Sequence, residues 1–183
     1  LTYYRPHTSG LTIYSERLAR ALARRGHQVT VFTSQFDKST PLNEVAEGVR
    51  IVRSPVALRV SKGVIMPYFG QQVTELVRAH DVVHLHLPQF DAPGVALRGR
   101  LMRKPVVLTY HCDLNMPPGL FNRVVNQVIH FMNALAGRLT DHIVTYTQDY
   151  ADHSPYLSRF KDKLTPILPP VELPAAAPGA VEA

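Results

Sequence analysis

Two apolar runs of the chain end in titratable side chains: Asp81-Val82-Val83-His84-Leu85-His86 and Val106-Val107-Leu108-Thr109-Tyr110-His111-Cys112-Asp113. A β-branched run that stops at histidines is how a buried parallel strand delivers reactive groups to the carboxyl edge of an α/β sheet, where such sheets bind ligands. His84 and His86 share one strand face, because side chains alternate along a strand. Imidazoles at that edge can ligate a metal, hydrogen-bond a sugar or be satisfied by the protein itself. Taken with Asp113, the histidines His84, His86 and His111 supply enough donors for a metal-dependent α/β hydrolase or deacetylase, and a stand-alone binding module that catalyses no reaction is a further alternative. Neither paired cysteines nor a His-Glu-x-x-His helix supports that use, so no metal is assigned.

Nucleophilic chemistry has less support. Gly-x-Ser-x-Gly is missing, and His111, Cys112 and Asp113 are sequence neighbours, which an extended strand sends to opposite faces. The lone cysteine, Cys112, has no partner within the chain and reads as a small strand-end residue, in keeping with a reducing compartment. An anion has a better candidate in Tyr3-Tyr4-Arg5-Pro6-His7-Thr8-Ser9-Gly10, the loop that opens the first helix. Ser9 or Gly10 stands at a helix amino terminus, where free N–H groups and the dipole favour negative charge and glycine permits close approach. An ordinary N-cap is the alternative use of Ser9. With no Gly-x-Gly-x-x-Gly and no Walker lysine, a dinucleotide or P-loop site is disfavoured.

The elements that must carry these residues follow from periodicity. Leu11, Tyr14, Leu18, Ala21 and Leu22 recur at helical spacing opposite Glu16, Arg17, Arg20 and Arg24, and Gly26 ends the run. Strands are expected at Gln28–Thr33, Val49–Val52, Val82–Leu87, Val106–Tyr110, Asp141–Tyr146 and Leu164–Leu168. Helices are expected around Phe69–Ala79, Val95–Arg103 and Pro118–Leu139, with Gln148–Phe160 helical but interrupted at Pro155. The longest helix carries Leu120, Val124, Val128, Phe131, Leu135 and Leu139 on one stripe, which is expected to cover the sheet. A partner helix is the other use of such a stripe. The βαβ alternation predicts an α/β fold with a doubly wound parallel sheet.

At 183 residues with 45% hydrophobic and 19% charged residues, the chain suits one domain with a full core. It contains neither a signal peptide nor a run of the roughly 20 apolar residues that spans a bilayer, so a cytoplasmic protein is expected. The 20 Lys and Arg outnumber 14 Asp and Glu, for a formal net charge of +6. That excess favours anionic partners: phosphorylated substrates or anionic lipid. Nucleic acid is not expected, because no aromatic residues interleave the basic stretches at Arg17–Arg25, Arg98–Lys104 and Arg159–Lys163 at RNA-binding spacing, and zinc-finger and RNP patterns are missing. From Pro169 the composition turns to proline and alanine, as in a linker. Leu1-Thr2-Tyr3-Tyr4 reads as the end of a strand. The expected organisation is a domain over 1–168, its first strand partly truncated, a linker beginning at 169–183, and a further domain beyond it.

The ordered set of segments resembles the amino-terminal domain of retaining family-4 glycosyltransferases of GT-B architecture. It comprises Tyr3-Tyr4-Arg5-Pro6 with Gly10; Leu18-Ala19-Arg20-Ala21-Leu22-Ala23-Arg24-Arg25-Gly26-His27-Gln28-Val29-Thr30-Val31; Asp81 to His86; Lys104-Pro105 to His111; Asp141-His142-Ile143-Val144-Thr145; and Pro169-Pro170-Val171-Glu172-Leu173. The resemblance implies a Rossmann-like acceptor-side domain and metal-independent sugar transfer from a nucleotide-sugar co-substrate, without a cofactor. It implies that the donor's nucleotide is held by a carboxyl-terminal domain absent here, so that this segment alone is inactive. Gly10, preceded by Ser9 where the family often has a second glycine, falls where the family's loop approaches the donor diphosphate. His111 matches the strand-end histidine that contacts the donor sugar. Arg59 and Lys62 lie where family members shape the acceptor pocket; His84, His86 and Asp113 are assigned to the acceptor side. With the basic balance, this points to an anionic or lipid-linked acceptor and to peripheral association with the inner face of the cell membrane.

Overall fold

The computed structural model describes residues 1–60, 63–114 and 116–171. The histidine runs form the parallel strands β6 (Val83–Leu87) and β7 (Val106–Tyr110), joined through β8 (His142–Thr145) to β9 (Leu164–Pro166) in the order β6-β7-β8-β9. The register sets Val83 beside Val106 and Leu87 beside Tyr110, and His111 N–H extends the ladder by donating to Leu87 O at 3.0 Å. Both histidine ends therefore reach the same sheet edge. Leu87, Val106, Leu108, Tyr110 and Ile143 are fully buried, as parallel strands covered on both faces require. Helices α2 (Phe69–Ala79), α3 (Ala92–Leu101), α4 (Leu120–Leu139) and α5 (Gln148–His153) flank these strands, giving the expected Rossmann-like α/β architecture.

The front of the chain makes a second sheet. Helix α1 (Gly10–Arg24) leads into β1 (Val29–Ser34), which pairs in parallel with β3 (Val49–Ser54). An antiparallel strand that the sequence pattern missed, β2 (Asn43–Ala46), pairs with β3 through a two-residue turn, Glu47-Gly48, with φ of 52° and 79°. Positive φ at both positions is the hairpin geometry that glycine favours. A small hairpin, β4 (Leu58–Val60) with β5 (Gly63–Ile65), follows.

Two differences from the expected layout affect the site. The first is that β1 and β6 are not paired. A cavity of about 190 Å³ lies between them, lined by Val31, Phe32, Val83, Leu85, His86 and Leu1. Leu1 to Tyr4, expected as a strand, form none: the terminal amine donates to Phe32 O (3.2 Å) and Ser34 N–H to Thr2 O (3.2 Å), after which the chain turns, with His7 N–H donating to Tyr4 O.

The second concerns α4. Its apolar stripe was expected to cover the sheet, but the helix packs through roughly the opposite side, where Asn133, Ala134, Ala136 and Gly137 are buried. Gly137 allows this approach, since a Cβ there would sit 2.5 Å from Tyr156 Oη and 2.6 Å from the Phe160 ring. Small residues bring the backbone close, and most of the stripe faces out: Leu120 (78% exposed), Val124, Val128 and Phe131, with Phe121 beside them, whereas Leu135 and Leu139 at its end are half-buried and Leu139 packs against the core. The run from Gln148 is helical only to His153, and short 3-10 turns follow Pro155.

Candidate functional site

At the shared sheet edge the three histidines form a stack. The His84 and His86 rings lie 4.7 Å apart with 13° between planes, and those of His86 and His111 lie 5.2 Å apart at 27°. His86 Nδ1 is 2.9 Å from His111 Nε2, while His111 Nδ1 is hydrogen-bonded to the Tyr146 hydroxyl. His84 Nε2 is 2.8 Å from Thr109 Oγ1. Burial holds His86 well below the ordinary histidine value, helped by the charges of His84 and His111. Burial, then His84, brings His111 down to about 4. Both rings are therefore neutral at pH 7. Burial also pushes the Tyr146 phenol up to about 12, so it keeps its proton.

Helix α1 closes the site from the other sheet. Tyr14, 7% exposed, places its ring edge-on to His111 at 4.9 Å and lies 5.7 Å from Tyr146. Gly10 stands four residues earlier, on the same helix face. Ser9 is the N-cap of α1: its Oγ accepts from Thr12 N–H (3.3 Å) and Thr12 Oγ1 accepts from Ser9 N–H (2.7 Å). A Cβ built on Gly10 meets nothing within 4 Å, so there is open space at Gly10 itself, and no positive φ requires glycine there. The loop entering α1 is anchored by Arg53, 3% exposed, which donates to Arg5 O (2.9 Å), Pro41 O (3.0 Å) and Glu44 Oε1 (2.6 Å). Arg5 itself pairs with Glu16 at 3.0 Å.

The remaining candidates are placed elsewhere. Asp113 accepts from the hydroxyls of Tyr110 (2.9 Å), Tyr150 (2.9 Å) and Ser154 (3.0 Å), tying α5 to the end of β7. Arg59 lies over the Phe36 ring at 4.8 Å and donates to Phe36 O, within an aromatic group that includes Tyr3 and His7. Lys62 lies outside the described residues, as do residues 172–183 of the expected linker. The exposed Cys112 has its thiol pushed up by burial and by Asp113, away from a reactive thiolate. His80 caps α2, its Nδ1 2.8 Å from Leu76 O, and His142 meets Thr165 Oγ1.

This geometry does not favour the hydrolase reading. His86 and His111 spend ring nitrogens on each other, Asp113 is held by three hydroxyls, and among the described residues no three His, Cys, Asp or Glu side chains are placed to hold a metal ion. Sequence reasoning missed Tyr146, Tyr14 and Arg53. Tyr146 ends a strand as His111 does, so the same signal would have found it; Tyr14 was absorbed into a helical core stripe. Among the described residues no helix is long and apolar enough to cross a membrane. No curated protein shows significant similarity to the chain. The family model for Glycosyltransferase Family 4, however, matches residues 8–173, a span that takes in the α1 cap, the histidine stack and all four strands of the larger parallel sheet, and the chain therefore belongs to that family.

Proposed function

We propose that the chain is the acceptor-side domain of a retaining, metal-independent glycosyltransferase, with residues 1–168 as the domain and 169–183 entering a linker to a donor-binding domain. The observation that carries this reading is the edge-on contact of Tyr14, one turn along α1 from Gly10, with the His111 ring. The unfilled space at Gly10, beside the cap made by Ser9, suits a diphosphate: the first-turn N–H groups other than that of Thr12, which Ser9 caps, and the helix dipole stabilise the charge that builds on the leaving group. His111, neutral at pH 7, hydrogen-bonds a donor-sugar hydroxyl in place of Tyr146. An uncharged ring does not repel the positive charge that develops at the sugar carbon. The domain needs no cofactor, and the nucleotide sugar is a co-substrate.

On the acceptor side the net charge of +6 favours an anionic or lipid-linked molecule and a location at the inner face of the cell membrane, with Arg59, Lys62, His84, His86 and Asp113 as candidate contacts. Nucleic acid has no part in this reading. The test is a donor screen on the enzyme carrying this domain, with His111→Ala as the comparison. Loss of roughly 10²-fold in transfer rate is expected, the scale of removing one well-placed hydrogen-bonding group. Unimpaired transfer by the variant would overturn the role given to His111.

A further inference from the structure

We propose that the outward stripe of α4 is a membrane-docking face, which lays Leu120, Phe121, Val124, Val128 and Phe131 into an anionic lipid surface. Leu120, Phe121, Val124 and Phe131 are 54–78% exposed and Val128 is 39% exposed. At 100° per residue all five fall on one side of the helix, away from the buried Asn133, Ala134, Ala136 and Gly137. A surface helix of a water-soluble domain normally turns its apolar side inward. Here the packing residues are small and polar, which leaves an exposed apolar patch of the kind that marks an interaction surface.

Charge selects lipid as the occupant. No Asp or Glu occurs between Asp113 and Asp141, whereas Arg123 and Arg138 are exposed along the same helix. Apolar side chains flanked by cations without carboxylates match an anionic leaflet, into which such a helix sinks about 5–10 Å. Helix α4 also starts nine residues after His111, at the sheet edge that carries the histidine stack. Docking would hold that edge against the bilayer. The inference rests on the membrane-side reading above and gives it a place on the fold.

Partition of the 183-residue chain onto phosphatidylcholine vesicles, with and without phosphatidylglycerol, tests this directly. Binding is expected on the anionic vesicles. Phe121→Ser combined with Phe131→Ser should weaken it by about tenfold or more, and Arg123→Glu by about fivefold on anionic vesicles only. Val45→Ser, at an exposed apolar residue of β2, should leave it unchanged. Thermal melting checks that each variant is folded. No binding by the parent chain, or equal binding by the folded double variant, would overturn the proposal. So would a dimer in sedimentation equilibrium that the double variant abolishes, because the stripe would then cover a second copy. Nucleotide-sugar binding by the enzyme carrying this domain, measured without vesicles, separates the two readings: if it persists while partition fails, docking alone is wrong, and the reverse result removes the transfer reading alone.

Discussion

His86 Nδ1 and His111 Nε2 stand 2.9 Å apart, so one ring donates to the other and the tautomer of each depends on its partner. Tyr146 engages the remaining nitrogen of His111. Two self-consistent patterns exist: His86 donates to His111, which donates to Tyr146, or every bond reverses. Because Tyr146 keeps its proton and both rings are neutral, a ligand hydroxyl that replaces Tyr146 inherits the same choice. His86 is thus a positioning residue for His111.

Replacing His86 by Phe leaves His111 Nε2 without its partner in a buried stack, at a stability cost of about 1–3 kcal/mol. Donor-sugar binding should fall by roughly tenfold, with His86→Asn, which keeps a hydrogen-bonding group, recovering part of the loss. Nitrogen chemical shifts of His111 provide the readout that packing alone would not move. An unchanged His111 tautomer population in His86→Phe would show that the pair is not coupled.

The depressed histidines also set a pH dependence. Against an unfolded value of 6.5, His111 is held at about 4 and His86 well below its ordinary value, so between pH 6.5 and 4 the unfolded chain binds protons that the folded chain refuses. Stability from these rings is complete above pH 6.5 and is lost as pH falls through that window, by about 1.4 kcal/mol per pH unit for each neutral histidine. Urea midpoints should therefore drop between pH 7 and 5, and a His86→Phe, His111→Phe double variant should show a shallower drop. Parallel slopes for parent and variant would place the titration elsewhere.

Arg53 is 3% exposed and serves two carbonyls and a carboxylate, whereas the Arg5–Glu16 pair leaves Arg5 about half exposed. Arg53→Met should cost about 2–3 kcal/mol, because the carbonyls of Arg5 and Pro41 lose their donor. The partial exposure of Glu44, at 33%, keeps the cost at the lower end of buried-pair values. Arg5→Ala should cost below about 1 kcal/mol. Chemical denaturation compares them, and equal costs would mean that Arg53 does not anchor the loop into α1.

Most of the scaffold was readable because its signals are local. The β-branched runs ending in His86 and His111 gave the strands, and Ser9-Gly10 together with Gly26 bracketed α1 to within one residue. Strand β2 was hidden because Asn43-Glu44-Val45-Ala46 has little apolar content; its place depends on the Glu47-Gly48 turn and on pairing with β3. The site was legible in part for a related reason. A strand end announces a histidine, but nothing local reveals that Asp113 is taken up by Tyr150 and Ser154, or that Tyr14 reaches across from the other sheet. Helix α4 misled because periodicity reports that an apolar face exists and not which way it points.

That last point yields a pair of substitutions with opposite expectations. If the stripe covered the core, Phe131→Ser would remove a buried ring at a cost of about 3–5 kcal/mol, the scale of large aromatic truncation, and Gly137→Ala would gain up to about 1 kcal/mol of helix propensity. The observed packing reverses both. Phe131 is 60% exposed, so its loss should change stability by about 0.5 kcal/mol or less. A methyl at Gly137 would collide with Tyr156 and Phe160, and overpacking of about 1–3 kcal/mol should outweigh the propensity gain. Tyr156 cannot simply swing away, because its hydroxyl donates to Asn133 O at 3.0 Å and its ring stacks on Tyr110 at 4.2 Å. Denaturation midpoints of the two single variants decide between the arrangements: a Gly137→Ala variant more stable than the parent, with Phe131→Ser strongly destabilised, would turn α4 over.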